Sequence, residues 1–123
     1  MRHRQRILLS PSGPGVGDAG GGAVWRCDWD EVAEIIAWKQ DAFIYDVICF
    51  GFRTSDGPGY LLAHEEMDGW DELTAALKYQ YGICPEDWFD RVAFPAFREN
   101  RTVLWARTDA SQRRREATSI VNV

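Results

Sequence analysis

The stretch from Tyr60 to Gly82 constrains the fold of this chain more than any other, because it predicts a strand followed directly by a helix with one apolar face. The predicted strand covers residues 60–66, and Met67-Asp68-Gly69 separates it from the helix. An apolar helix face must be covered, and the neighbouring strand and its sheet offer the nearest cover. The pattern therefore predicts a helix packed on a sheet.

The predicted helix has matching signals at its start, on its apolar face and at its end. The apolar face consists of Trp70, Leu73, Leu77 and Tyr81, which coincide at about 100° per residue. Asp68 is the predicted N-cap, and Gly82 stands where a left-handed C-cap residue is expected. We therefore expect a helix that begins after Asp68 and ends at Gly82.

Composition and charge limit the class of protein. The chain has 123 residues, 46% of them hydrophobic and six of them tryptophan, which predicts one globular domain. No apolar run approaches the roughly 18 residues of a membrane span, so we expect no membrane partner. Residues 24–108 hold 16 acidic against 8 basic residues, a net charge of −8. This acidic body argues against a nucleic-acid partner, because phosphate binding needs a concentrated basic face.

The cysteines and the N-terminus indicate the compartment. The three cysteines, Cys27, Cys49 and Cys84, are an odd number and lack the spacing of a metal site, which argues against a disulfide framework. Residues 1–6 are basic, but the apolar residues 7–9 that follow are far fewer than the roughly 7–15 of a signal sequence. We therefore expect a cytoplasmic protein with reduced thiols, without a metal or other cofactor.

The domain boundaries follow from composition. Residues 1–23 are expected to form a basic, Gly/Pro-rich segment, residues 24–108 a single domain, and residues 109–123 a C-terminal tail. Residues 10–23 are rich in Gly and Pro and are expected to have no side chains able to build a core, which indicates a linker. A G-x-G-x-x-G pattern falls there, at Gly15, Gly17 and Gly20. It lacks the preceding strand and following helix that dinucleotide binding requires, so we expect no nucleotide site.

A second helix is predicted to begin at residues 28–31, where Asp28 and Glu31 form a capping-box pattern. The apolar residues of its predicted face are Trp29, Val32, Ala33 and Ile36. Trp38 falls on the opposite face of such a helix. Three explanations remain open: the helix ends near Ala37, another segment covers Trp38, or its ring is exposed.

The remaining elements complete an α+β fold. Residues 45–53 are apolar on both faces and predict a central strand. The turn-rich residues 55–59 reverse the chain into residues 60–66, which predicts an antiparallel hairpin. Other strands are predicted at residues 24–27 and 102–107, and a short helix begins at Pro85. The predicted architecture is an antiparallel sheet of three or four strands with two longer helices and one short helix packed on it.

The outer face of the helix after Gly69 is the leading candidate for a binding surface. Tyr79 shares this face with Glu72 and Ala75, opposite the apolar stripe. A ring among acids offers a basic protein an apolar anchor and steering charge. The candidate partner-binding residues are Glu65, Glu66, Asp71, Glu72 and Tyr79. They predict a non-enzymatic protein-interaction domain, whereas the more common explanation of acidic clusters is a solvated face.

A small enzyme or ligand-binding domain is the alternative interpretation. His64, Glu65 and Glu66 follow one another, and Tyr45 or Cys84 would have to join them in one pocket. The pattern lacks the second histidine of a helical zinc motif. A polar strand end explains it more simply, so we assign no catalytic residue.

The body of the chain contains a set of distinctive runs: Trp38-Lys39-Gln40, Tyr45-Asp46-Val47-Ile48-Cys49, Glu65-Glu66-Met67-Asp68-Gly69-Trp70, Trp88-Phe89 and the run from Phe94-Pro95-Ala96-Phe97 to Thr102-Val103. In these runs the chain resembles small uncharacterised bacterial proteins, some of which are similar to the immunity proteins that neutralise secreted toxins. The resemblance implies an immunity-type role in binding a partner protein, and it implies no catalytic chemistry.

Overall fold

A computed structural model gives the structure of this protein and describes residues 5–41, 45–95 and 98–107. The elements in chain order are β1 (Arg6–Ser10), β2 (Gly13–Gly17), β3 (Ala23–Arg26), a 3-10 turn (Trp29–Glu31), β4 (Val32–Asp41), β5 (Asp46–Thr54), β6 (Leu61–His64), α1 (Trp70–Tyr81), α2 (Pro85–Ala93) and β7 (Thr102–Ala106). The strands form two antiparallel sheets, with strand orders β1-β2-β3 and β6-β5-β4-β7. The predicted α+β class is therefore confirmed.

The four-stranded sheet is centred on β4 and β5. Residues 47–52 of β5 are all buried, as its apolar residues on both faces predict. Phe50 pairs with Ala63 in the antiparallel β5–β6 ladder, which confirms the predicted hairpin. On the other side, Ala37 of β4 pairs with Thr102 of β7. The face of this sheet that carries Ile35 and Phe50 packs against both helices.

The prediction of a helix that begins at residues 28–31 is wrong. Asp28 and Glu31 do form a capping box, but the turn that it starts is a single 3-10 turn, after which the chain continues as β4. β4 is rich in β-branched residues such as Val32, which fit a strand better than a helix. A bulge at Ala33 shifts the register between β4 and β5 and hides the strand alternation in the sequence.

Trp38 therefore lies on a strand, so the three explanations that assumed a helix lose their premise. Its ring is half-buried and lies over Gly51 of β5. A Cβ at Gly51 would stand 2.9 Å from that ring, so glycine is what allows the close approach.

The linker interpretation of residues 10–23 is also wrong. β1 and β2 form an antiparallel hairpin, and β3 pairs with the other side of β2. Ile7 and Val16 are buried in the same core as the helices. A Cβ at Gly15 would stand 2.9 Å from the carbonyl oxygen of Trp25, so this glycine is required by packing. The predicted tail, residues 109–123, lies outside the described residues.

The helix α1 spans Trp70–Tyr81, as its apolar stripe predicts, with Leu73 and Leu77 each 1% exposed. Gly82 ends it in the left-handed conformation, at φ 71°. The Gly82 and Ile83 N–H groups donate to carbonyls of the last turn, a Schellman arrangement that fits the left-handed C-cap predicted at Gly82. The N-cap is Gly69 and not Asp68, whose carbonyl instead accepts a hydrogen bond from the Ile7 N–H at 2.8 Å.

The short helix predicted at Pro85 is α2, whose residues Trp88 and Val92 are buried. Lys39 of β4 lies beneath its C-terminal end. The Lys39 Nζ donates to the carbonyls of Ala93 at 2.7 Å and Pro95 at 2.5 Å, and it lies 3.3 Å from an Asp46 carboxylate oxygen. Lys39 thus fixes the end of α2 to the sheet. No helix within the described residues is long and apolar enough to cross a membrane.

Candidate interaction surface

The outer face of α1 presents a ring to solvent. Tyr79 is 86% exposed, and Glu72 and Ala75 on the same face are also exposed. Glu72 and Tyr79 are seven residues apart, or about 10 Å along the helix axis. The opposite face holds Leu73 and Leu77 in the core, so α1 keeps its orientation without help from Tyr79. We call the surface formed by Asp71, Glu72, Ala75 and Tyr79 the α1 outer face.

The α1 outer face is negatively charged. Asp71 and Glu72 lie in the first turn, where the helix dipole favours negative charge. The ion pairs among the described residues are Lys39 with Asp46 and Arg53 with Glu34, so neither involves these two acids. Lys78 is the one basic residue of α1. The negative charge of the first turn therefore remains available to an approaching cation.

Glu65 and Glu66 lie before the N-terminal end of α1 and already have partners. One carboxylate oxygen of Glu65 accepts the Ile48 N–H at 2.8 Å, and the Glu65 N–H donates to the Ile48 carbonyl at 2.9 Å. The Glu66 carboxylate accepts the Tyr45 hydroxyl at 2.7 Å. The structure thus brings Asp71, Glu72 and Tyr79 onto one helix and places Glu65 and Glu66 in bonds that extend the β5–β6 hairpin. No local pattern in the sequence indicates these internal bonds.

The residues of the alternative enzyme interpretation are only partly brought together. His64 accepts the Glu66 N–H at its Nδ1, at 3.2 Å, and Glu66 in turn holds Tyr45. Cys84 is the N-cap of α2, beyond the far end of the 12-residue α1, which is about 18 Å long. In the described part of the chain, no group of three or more His, Cys, Asp or Glu side chains is arranged to hold a metal ion.

The three cysteines are free. Burial, followed by the carboxylates of Glu31 and Asp28, raises the pKa of Cys27 from 9.0 to about 11. Burial, followed by Glu65, raises the pKa of Cys49 to about 11 as well. Both thiols therefore stay protonated at neutral pH, which is the opposite of what a nucleophilic cysteine needs.

Two hollows are formed by residues that the sequence analysis did not connect. One, of about 250 Å³, is lined by Asp30, Glu31, Thr54, Ser55 and Asp56. The Glu31 carboxylate there already accepts the Asp28 N–H at 2.7 Å. The other is a groove of about 110 Å³ between α2 and β7, lined in part by Cys84, Asp87, Trp88, Arg91, Val103 and Leu104. Residues far apart in sequence meet in both, which is why no local pattern predicted them.

The chain was compared with known proteins in three ways. No protein-family profile matches it, and searches of curated proteins and of solved structures find no match.

Proposed function

We propose that this chain is a non-enzymatic, cytoplasmic protein-interaction domain whose α1 outer face binds a basic protein. The observation that carries the proposal is the 86% exposure of the Tyr79 ring on a helix whose opposite face buries Leu73 and Leu77 in the core. Tyrosine is among the residues that contribute most to binding energy at interfaces, because a large rigid ring buries much area at little entropic cost.

Charge supports a basic partner. Asp71 and Glu72 are exposed, and neither is in an ion pair among the described residues. Complementary charge speeds the encounter of two proteins and orients them, and salt weakens the effect. The small Ala75 between Glu72 and Tyr79 leaves space in which a partner side chain can reach the edge of the ring. The expected partner therefore presents an apolar side chain next to Lys or Arg.

The resemblance to immunity proteins suggests one form of this proposal. In that form the basic partner is a secreted toxin, and the α1 outer face covers part of the toxin surface. The binding chemistry is the same in either form.

The proposal is tested by affinity capture from an extract of the source organism at low salt, with wild-type and variant chains compared side by side. Tyr79→Ala is expected to weaken the retained protein's binding at least fivefold, which is about 1 kcal/mol. Reversing Asp71 and Glu72 to Lys is expected to slow association and to reduce its dependence on salt. The matched controls are Phe89→Ala, a ring of α2 that is 44% exposed, and Asp90→Lys on the same helix.

Two results would contradict the proposal. A retained protein that binds the Tyr79 and Asp71/Glu72 variants as tightly as the wild type does not use the α1 outer face. A loss of stability in Tyr79→Ala beyond about 0.5 kcal/mol, the usual limit for surface substitutions, would show that the ring supports the fold. Unfolding in urea, followed by tryptophan fluorescence, measures this.

A further inference from the structure

We infer that the outer edge of β7, with the groove beside α2, binds an extended segment of another protein as an added strand of the main sheet. The inference concerns a surface separate from the α1 outer face and does not depend on the proposed role of that face.

The two edges of the four-stranded sheet differ. At the β6 edge the Leu62 carbonyl already accepts the indole N–H of Trp25, at 2.9 Å. β7 pairs with β4 on one side, and no other described segment pairs with its outer side. Unpaired N–H and C=O groups along an edge are a template for a further strand. β7 also contains no charged residue and no proline, which are common devices that keep an edge from pairing.

A bulge sets the length of the site. Ile36 pairs with Val103 and Ile35 with Trp105, so Leu104 is an extra residue in β7. Bulges bend a strand and interrupt its ladder. An added strand therefore pairs with the half of β7 that precedes the bulge, around Val103, which is 56% exposed. The site accordingly takes a short segment.

The groove beside this half of β7 is suited to accept one apolar side chain of the bound segment. Its wall includes Trp88, which is 4% exposed and belongs to the core, and Leu104. The volume of about 110 Å³ is somewhat smaller than a cavity that holds benzene, so it suits one branched aliphatic side chain. A segment paired with β7 would direct every second side chain toward this groove.

The negative charge along α2 favours a basic residue in the bound segment. Asp87 lines the groove and is exposed, and its carboxylate has no hydrogen-bond or ion-pair partner within the described ranges. Arg91 is held by the Asp87 backbone carbonyl, to which it donates at 2.8 Å. Glu86 and Asp90 are also exposed, so α2 carries three acids against one arginine. The occupant is thus an extended segment with an aliphatic residue and a Lys or Arg two positions apart.

The probe for this site is a synthetic eight-residue peptide in which threonine alternates with valine and lysine. A matched peptide has methyl groups on alternate backbone nitrogens, which remove the donors of the added strand and keep every side chain. Titration followed by NMR of the full-length chain is expected to shift β7 amide signals with the first peptide. The methylated peptide is expected to bind at least tenfold more weakly.

Protein variants locate the binding. Asp87→Lys is expected to weaken peptide binding at least fivefold. Glu86 is also an exposed acid of the first turn but does not line the groove, so Glu86→Lys should change the affinity less than twofold. A peptide with cysteine in place of valine, activated as its 2-thiopyridyl disulfide, should exchange with the free thiol of Cys84, which lines the groove, and release thiopyridone. The Cys84→Ser variant should not react in this way.

Other outcomes overturn the inference. They are no binding at millimolar peptide, equal binding of the methylated peptide, or equal effects of the two α2 charge reversals. Loss of binding in Tyr79→Ala would move the peptide to the α1 outer face. A dimer that dissociates when peptide is added would mean that a second copy uses this edge. Binding that appears only after residues 108–123 are removed would mean that the chain's own C-terminal residues occupy the β7 edge.

Discussion

Replacing Lys39 by methionine is expected to lower the free energy of unfolding by about 3–5 kcal/mol, the usual cost of breaking a buried ion pair. Lys39 is 6% exposed, and its ammonium group contacts the carbonyls of Ala93 and Pro95 and the carboxylate of Asp46. Methionine keeps most of the aliphatic stem and removes the charged head, so little apolar contact is lost. The expected loss is therefore almost entirely polar.

The expected loss of stability follows from the polar groups that lose the Lys39 ammonium as a partner. A buried polar group that loses its partner costs about 1–3 kcal/mol, and the Lys39 ammonium serves two carbonyls and a carboxylate. These costs do not add, because Pro95 is exposed and its carbonyl is able to reach water. The Asp46 side chain is only 13% exposed, so its charge remains poorly solvated. The ion-pair range above is accordingly the estimate for the whole substitution.

Urea unfolding of a double-mutant cycle measures the effect. Asp46→Asn alone is expected to cost about 1–3 kcal/mol, the range for a hydrogen bond to a charged group. The double variant should lose less than the sum of the two single losses, by about 0.5–3 kcal/mol of coupling. Lys78→Met, at an exposed lysine of α1, is the matched control and should change stability by under about 0.5 kcal/mol.

The reasoning would be refuted by a loss below about 1 kcal/mol in Lys39→Met, or by coupling close to zero in the cycle. Hydrogen exchange gives a second reading. Because Lys39 holds the C-terminal end of α2, amides of that end should lose protection before those of β5.

Three further predictions use the same unfolding assay. Trp70→Ala should cost about 2–4 kcal/mol, below the full range for a core tryptophan because this ring is half-buried, and a loss under 1 kcal/mol would mean that it does not support the core. The pKa values of Cys27 and Cys49 are raised from 9.0 to about 11, so the folded state binds more protons than the unfolded state between these values. Stability should therefore fall as the pH rises from about 9 to about 11, and should fall less in Cys27→Ser; a flat profile contradicts this. Gly51→Ala should cost about 1–3 kcal/mol, because its new Cβ would meet the Trp38 ring, and an unchanged midpoint would show that the ring moves aside freely.

The parts of the fold that the sequence predicted are those with several local signals in agreement. α1 has an apolar stripe, acids in its first turn and a left-handed glycine at its end, and all are present in the structure. The β5–β6 hairpin likewise combines apolar strands with a dense turn. Where the local signals of a segment all favour one secondary structure, tertiary contacts seldom change it.

The second predicted helix shows how one correct local signal misleads. The capping box of Asp28 and Glu31 exists, but it starts only one turn. Whether a helix continues depends on where its apolar residues can be buried. Most residues of β4 are buried on both faces of the sheet, and β4 pairs with β5 along one edge and with β7 along the other. Pairing with residues distant in sequence therefore makes this segment a strand, and the bulge at Ala33 interrupts the alternation by which a strand is recognised in a sequence.

The glycine-rich N-terminal residues show a different cause of error. Glycine predicts flexibility when no contact is known, but Gly15 and Gly17 are buried in β2. Their lack of a Cβ permits other segments to approach closely, which only the assembled structure reveals. For the candidate surface, the exposure of Tyr79 could be predicted from helix periodicity, whereas the bonds of Glu65 and Glu66 and the groove beside α2 depend on strand pairing.

The position of β7 in the main sheet has a consequence for the chain while it is being made. Ala37 of β4 pairs with Phe50 of β5, which follows it closely in the chain, but its partner on the other side, Thr102, is synthesised 65 residues after Ala37. At about 5–20 residues per second, the nascent chain presents the apolar, unpaired side of β4 for roughly 3–13 s. Such an interval invites chaperone binding or aggregation, and synonymous codons that slow translation between residues 42 and 101 would lengthen it while leaving the finished fold unchanged.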